Sequence, residues 1–128
     1  MAYAAGEIFE GSQVQKFTAS ATVAKGAVIT VTPAASLPTG ATCAADGVGP
    51  FAVAIEAVAN GATGRMVTKG PVSVDCSGNC YTGAVVTGAG GKVKECGTDP
   101  SGNWIKPLGR MFLGAADGGV GIVDLGVI

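Results

Sequence analysis

Hydrophobic and polar residues alternate in short runs along most of this chain, a pattern typical of half-buried β-strands. The stretch "FTASATVAKGAVITVT" is rich in β-branched residues and predicts a strand, a turn at Lys25-Gly26 and a second strand. The stretch "PFAVAIEAVAN" places Phe51, Val53 and Ile55 on one side of a further strand. No segment of more than ten residues has a convincing helical period. The pattern therefore predicts an all-β protein.

The second half of the chain continues in the same way. "GRMVTKGPVSVD" predicts a strand, a Gly-Pro break and another strand, and "CYTGAVVTGAGGKVKE" predicts a strand pair around Gly90-Gly91. The chain then ends in two predicted strands separated by the turn Asp117-Gly118-Gly119.

An internal repeat relates these two halves. "GAVIT" begins at Gly26 and "GAVVT" begins at Gly83, an offset of 57 residues, and the same offset aligns Pro50 with Pro107. Neither half is large enough to bury a sheet face by itself. We therefore predict a compact β-barrel or sandwich, residues 15–128, built from related units at about 15–72 and 83–128 that join near residues 73–82. An extended N-terminal arm, residues 1–14, precedes it.

The composition fits a β core of small side chains. Hydrophobic residues make up 48% of the chain, aromatic residues 5% and charged residues 13%, with a net charge of −1. So little charge is typical either of an assembled protein or of a weakly charged Gly/Ala-rich β domain. The absence of Lys and Arg runs argues against a nucleic-acid or membrane partner, and the N-terminal sequence has no basic region or apolar run of a secretory signal.

The residues of common catalytic sites are missing. The chain contains no histidine, which excludes Ser-His and Cys-His catalysis and removes the commonest metal ligand. "GAGGKV" around Lys92 lacks both the first glycine and the Ser or Thr of a phosphate-binding loop. We therefore expect a protein that is not an enzyme and that binds no cofactor.

Four cysteines leave three alternatives open. The "CSGNC" turn allows a bridge between Cys76 and Cys80, and Cys43 and Cys96 would form the remaining pair. Free buried thiols and a zinc site are the other two possibilities, although the spacing differs from paired Cys-x2-Cys knuckles. We predict the Cys76–Cys80 bridge and no bound metal.

The order of the motifs resembles a phage protein family. "KGAVITV", "GPFAVAIEAVANGATGRMVTKGPVSVD", "TGAVVTGAGGKVKE" and "KPLGRMFLGAADGGVGIVDLGV" are similar to the small β proteins of domain-of-unknown-function family 2190, the capsid cement or decoration proteins of tailed phages. Gly49 to Ala59 and Lys106 to Gly118 match the family's central element, and Gly70-Pro71-Val72 matches its last one. "CSGNC" and residues 96–104 depart from the family pattern.

This resemblance implies a structural virion protein that is made in the host cytoplasm and then binds the outside of an icosahedral head. Its partners would be the major capsid protein and further copies of itself in a homotrimer, and it would stabilise the shell. The alternative from another functional class is a secreted or surface β-sandwich for binding or adhesion. Such modules usually expose aromatic residues, and this chain has one Trp and two Tyr.

The N-terminal segment carries the predicted capsid contact. It contains Tyr3, Ile8 and Phe9, three large side chains, flanked by Glu7 and Glu10. Apolar anchors on an arm indicate a segment that orders against a partner, and the two carboxylates would face basic groups on the capsid. Two alternatives are that Ile8 and Phe9 form the first strand of the barrel or that they pack on a neighbouring subunit.

Overall fold

A computed structural model describes residues 3–45 and 49–128, and all regular structure in these ranges is β. The prediction of an all-β protein is confirmed. The strands are β1 (Gln13–Ala19), β2 (Val28–Thr32), β3 (Thr39–Thr42), β4 (Phe51–Ala54), β5 (Thr63–Asp75), β6 (Val85–Ala89), β7 (Lys92–Glu95), β8 (Gly109–Leu113) and β9 (Val120–Leu125).

The first five strands close into a barrel. Their order is β1-β3-β2-β4-β5, and β1 pairs back onto β5 in antiparallel fashion. β1 also pairs with β3 in parallel at Thr18 and Ala19. The side chains of Phe17, Ile29 and Met66 are buried together in one apolar cluster, so alternate residues of each strand fill the barrel interior.

The second barrel repeats this arrangement with the other strands. The C-terminal half of β5 pairs with β9, and the order continues through β8 and β6 to β7. A single parallel bridge between Cys76 and Val93 closes the ring. Its centre is apolar, with Val74, Met111 and Val123 fully or almost fully buried.

The 57-residue offset found in the sequence relates the strand pairings of the two barrels. Val23 bridges Val58 in the first barrel, and Cys80 bridges Ala115 at the equivalent positions of the second. Adding 57 to both residue numbers of each β1–β5 pair, from Val14 to Thr18, gives the corresponding pair of the β5–β9 ladder. The two related units predicted from the sequence are therefore present in the pairing of the backbone.

The junction between the units differs from its predicted place at residues 73–82. It lies inside β5, between Lys69 and Gly70, so the last strand of the first barrel runs directly into the first strand of the second. The Gly-Pro pair does not break the strand. Gly70 adopts a positive φ of 95°, and a Cβ there would overlap the carbonyl of Gly11. Pro71 is tolerated because no strand partner needs its missing N–H.

The barrels share part of their core. Ala52 and Ala54 of β4 face the interior of the first barrel, whereas Val53 belongs to the cluster that fills the second. Val28 and Val67 join Val53 in that cluster. Strands buried on both faces have nearly continuous hydrophobic sequences, which explains the "FAVAI" stretch of β4.

Candidate interaction surface

The N-terminal segment lies along β5 of the second barrel. Ile8 forms an antiparallel bridge with Val72. On the next residue of β5, the N–H of Gly6 donates to the carbonyl of Ser73 at 2.8 Å, and the N–H of Ser73 donates to the carbonyl of Glu7 at 3.1 Å. These bonds continue the β1–β5 pairing beyond the junction of the two barrels.

Two serine side chains hold this segment in place. The hydroxyl of the fully buried Ser73 donates to the carbonyl of Ala4 and accepts the N–H of Glu7 at 2.8 Å. The hydroxyl of Ser12 donates to the carbonyl of Pro71 and accepts the N–H of Phe9 at 3.0 Å. The segment has turns at residues 5–6 and 10–11 and is held by hydrogen bonds within its own chain. Contact of this segment with a partner stays a prediction.

The side chains of the predicted capsid contact are only partly covered. Ile8 is 50% exposed and Glu10 is exposed, whereas Glu7 and Phe9 are half-buried. The rings of Tyr3 and Phe9 meet edge to face, with centroids 5.5 Å apart and planes at 80°, a favourable geometry for an aromatic pair. The structure thus groups the five predicted residues along one short segment on the surface.

A groove of about 480 Å³ adjoins this segment. It is lined by Phe9, Glu10, Pro71, Phe112, Ile122 and Asp124. Two of these residues, Glu10 and Asp124, carry carboxylates. Asp124 lies opposite Arg110 in the β8–β9 ladder, and within the described residues neither carboxylate forms an ion pair within 4 Å. An apolar groove flanked by acids is suited to a partner that presents an apolar side chain next to a basic one.

A β-bulge produces the most exposed residue of the groove. Met111 faces Val123 and Leu113 faces Ile122, so Phe112 is an extra residue on β8 without an opposite partner on β9. Its side chain is 70% exposed. Bulges redirect side chains and are over-represented next to functional sites, and large exposed aromatic residues often anchor protein interfaces.

The sequence-based hypothesis missed the part of the groove outside the N-terminal segment. The three apolar residues "MFL" of β8 were an available signal. In a regular strand Met111 and Leu113 would both face inward, yet Leu113 is 43% exposed. The exposure of Leu113 follows from the bulge in β8, and no turn residue in the sequence marks that bulge.

The four cysteines are free thiols in the structure. Cys76 and Cys80 are buried at the two ends of the "CSGNC" turn and their thiols are within hydrogen-bonding reach of each other. Cys43 accepts the N–H of Gly91 at 3.3 Å, while the thiol of Cys96 donates to the carbonyl of Ile105 at 2.8 Å. The expected bridges are therefore not formed here, and oxidation of the Cys76–Cys80 pair stays a prediction.

These thiols are kept protonated by their surroundings. Burial, and to a smaller extent the neighbouring Cys76 thiol, raises the pKa of Cys80 to about 12. Burial also raises the pKa of Cys43 and of Cys76. Because the thiolate is the nucleophile and the metal ligand, a raised pKa makes a thiol unreactive.

Within residues 3–45 and 49–128, no group of three or more His, Cys, Asp or Glu side chains is arranged to hold a metal ion. The same residues form no helix long and apolar enough to span a membrane.

Comparison with known proteins gives a likeness in fold and none in sequence family. No protein-family model matches the chain, and no curated protein matches its sequence. A solved structure does match: the N base of the head fibre gp8.5 of bacteriophage phi29, with a TM-score of 0.65. The sequence identity is 16%, and the alignment covers 88% of this chain and 92% of that one. The chain therefore has the same fold as the base of a phage head fibre.

Proposed function

We propose that this chain is a structural protein of a phage virion that binds the outer surface of the head and reinforces its shell. The observation that carries the proposal is the likeness to the phi29 head-fibre base over nearly the full length of both chains. The family resemblance of the motifs supports the same class of function independently.

The exposed surface fits this role. A protein that stabilises a shell needs a surface that remains accessible on the folded subunit and becomes buried on the partner. The groove between Phe9 and Phe112 is such a surface, and its acidic residues would meet basic groups of the major capsid protein. The role is mechanical and requires no catalysis: attachment stabilises the assembled head relative to separated subunits.

A homotrimer is part of the proposal. Charged residues are 13% of the chain, and Trp104, Ile105, Val127 and Ile128, which do not line the groove, are exposed. Association of copies would bury apolar surface that a monomer leaves in water. A trimer would also match the local threefold positions of an icosahedral lattice.

The fold likeness favours one variant of this function. The matching structure is described as the base of a head fibre, so this chain is also a candidate for the base on which a fibre stands. Electron microscopy of heads that carry the protein distinguishes the two forms, because a fibre base is followed by a projection and a cement protein is not.

The proposed function is tested on purified virions. Mass spectrometry should detect the chain in particles that survive density-gradient purification, and protease should remove it from intact particles because it lies outside the shell. Particles lacking the chain should release their DNA at a lower temperature. Absence of the chain from purified particles would contradict the proposal.

A further inference from the structure

The repeat makes two strand edges equivalent, and only one of them is covered. Val14 and Lys16 of β1 occupy the positions that Pro71 and Ser73 occupy in β5. On β5, the edge that faces away from β9 is paired with residues 4–8 of the same chain. On β1, no described residue pairs with the corresponding edge between Gln13 and Phe17.

The N–H and carbonyl groups of every second residue of β1 point toward this open edge. The N–H of Thr18 bonds the carbonyl of Pro38, and the N–H of Ser20 bonds that of Gly40, both on the side away from β5. Main-chain groups alternate in direction along a strand. The N–H and carbonyl groups of Val14 and Lys16 therefore also point away from β5, into the open edge.

We propose that this open edge of β1 accepts an extended, acidic segment of a partner protein by strand addition. In this mode of recognition the main chain supplies hydrogen bonds, and alternate side chains of the added strand supply specificity. The side chain of Val14 is 43% exposed and would be covered. A groove of about 400 Å³, lined by residues that include Gln15, Pro33 and Pro38, lies beside the edge and would receive the alternate side chains.

Charge identifies the partner as acidic. Lys16 lies directly opposite Arg65 in the ladder, and both side chains are exposed. Like charges in opposite positions destabilise a strand pair. Arg65 is compensated by Glu56 at 3.0 Å, but no described acidic side chain pairs with Lys16. A carboxylate on the added strand would compensate it.

The covered edge provides the template for that carboxylate. Glu7 lies against Ser73, the equivalent of Lys16, in the strand that covers β5. The same backbone arrangement on β1 would place an acidic side chain beside Lys16. The chain's own segment is held on β5 by Ser73 and cannot occupy both edges, so the occupant comes from another protein.

A synthetic peptide with the sequence of residues 3–10, "YAAGEIFE", is the probe, because its backbone fits the equivalent edge. It is titrated onto the intact protein while amide hydrogen exchange is followed by NMR. We expect exchange at Val14 and Lys16 to slow by about tenfold or more at saturation, as in other newly formed strand pairs. Unchanged exchange at both amides, or changes confined to Gly6 and Ser73 through replacement of the native segment, would overturn the proposal.

Two variants locate the binding. Val14→Pro removes the N–H that faces the open edge and leaves the β5 side of the strand intact, and the equivalent Pro71 is already accommodated in β5. It should abolish detectable binding. Lys16→Glu should weaken binding by about threefold to tenfold at low salt, whereas Lys92→Glu on exposed β7 should not. If Lys16 serves only to keep strands away from this edge, the wild type and the three variants will not differ in their affinity for the peptide, and the proposal fails.

Discussion

Ser73 and Ala4 are 69 residues apart, yet the hydroxyl of Ser73 donates directly to the carbonyl of Ala4. Ser73 is fully buried and also accepts the N–H of Glu7. One side chain thus satisfies two main-chain groups of the N-terminal segment and fixes it on the second barrel.

The Ser73→Ala variant tests this anchoring. It leaves a main-chain donor and a main-chain acceptor without their partner, so we expect a loss of about 1–3 kcal/mol in the free energy of unfolding. Urea denaturation measures the loss, and amide exchange should become fast at Glu7. Ser77→Ala, at an exposed position of the nearby turn, is the control and should change neither quantity. Slow exchange at Glu7 in the Ser73 variant would show that other contacts hold the segment.

A second prediction concerns the junction between the barrels. Gly70→Ala forces an L side chain into a positive φ and against the carbonyl of Gly11. We expect it to destabilise the protein by roughly 2 kcal/mol or more. Gly97→Ala, whose Cβ would meet no atom within 4 Å, should be neutral or slightly stabilising. Equal urea midpoints for the two variants would contradict the close approach of Gly11 to β5.

The junction at Gly70 could not be predicted from the sequence, although the repeat could. The repeat was visible because turn glycines such as Gly26 and Gly83 recur at a fixed offset, with positive φ in both copies. The position of the junction was not visible, because Gly-Pro usually interrupts a strand. Here the interruption is avoided by contacts with residues 11 and 12, which are distant in sequence.

The groove between Phe9 and Phe112 was likewise predictable only in part. Large side chains in the N-terminal segment were an informative signal, and one of them, Phe9, lines the groove. Phe112 forms the opposite wall of the groove, and its exposed position depends on a bulge in the β8–β9 register. Such a register shift is decided by long-range pairing, which local alternation of residues does not encode.

The buried thiols predict a dependence of stability on pH. The pKa of Cys80 rises from 9.0 to about 12 on folding. Below about pH 9 both states hold the proton; above it the unfolded chain loses the proton first, so stability falls as pH rises toward 12. Urea midpoints at about pH 8 and about pH 10.5 should therefore differ less in Cys80→Ala than in the wild type. The two proteins share every other side chain, so the difference between them isolates the contribution of Cys80. An identical pH dependence would contradict the assignment to Cys80.

Self-association is predicted from the sparse charge and the exposed apolar residues. Light scattering at micromolar concentration should give a mass three times the 12.4 kDa of one chain. The mass should be insensitive to moderate salt, because salt screens charges and apolar contacts carry none. A monomeric mass under these conditions would contradict a stable free trimer.

The central claim, attachment to a phage head through the surface between Phe9 and Phe112, is tested most directly by co-sedimentation with undecorated heads. Phe112→Ser removes a side chain that is 70% exposed, so the fold should persist, which circular dichroism and the urea midpoint can verify. Tyr81→Ser is the matched control, since Tyr81 is 65% exposed and lines a different groove. We predict that the wild type and Tyr81→Ser bind the heads and that Phe112→Ser binds at least about tenfold more weakly. Equal binding of all three proteins would contradict the assigned surface, and failure of the wild type to bind would contradict attachment to the head itself.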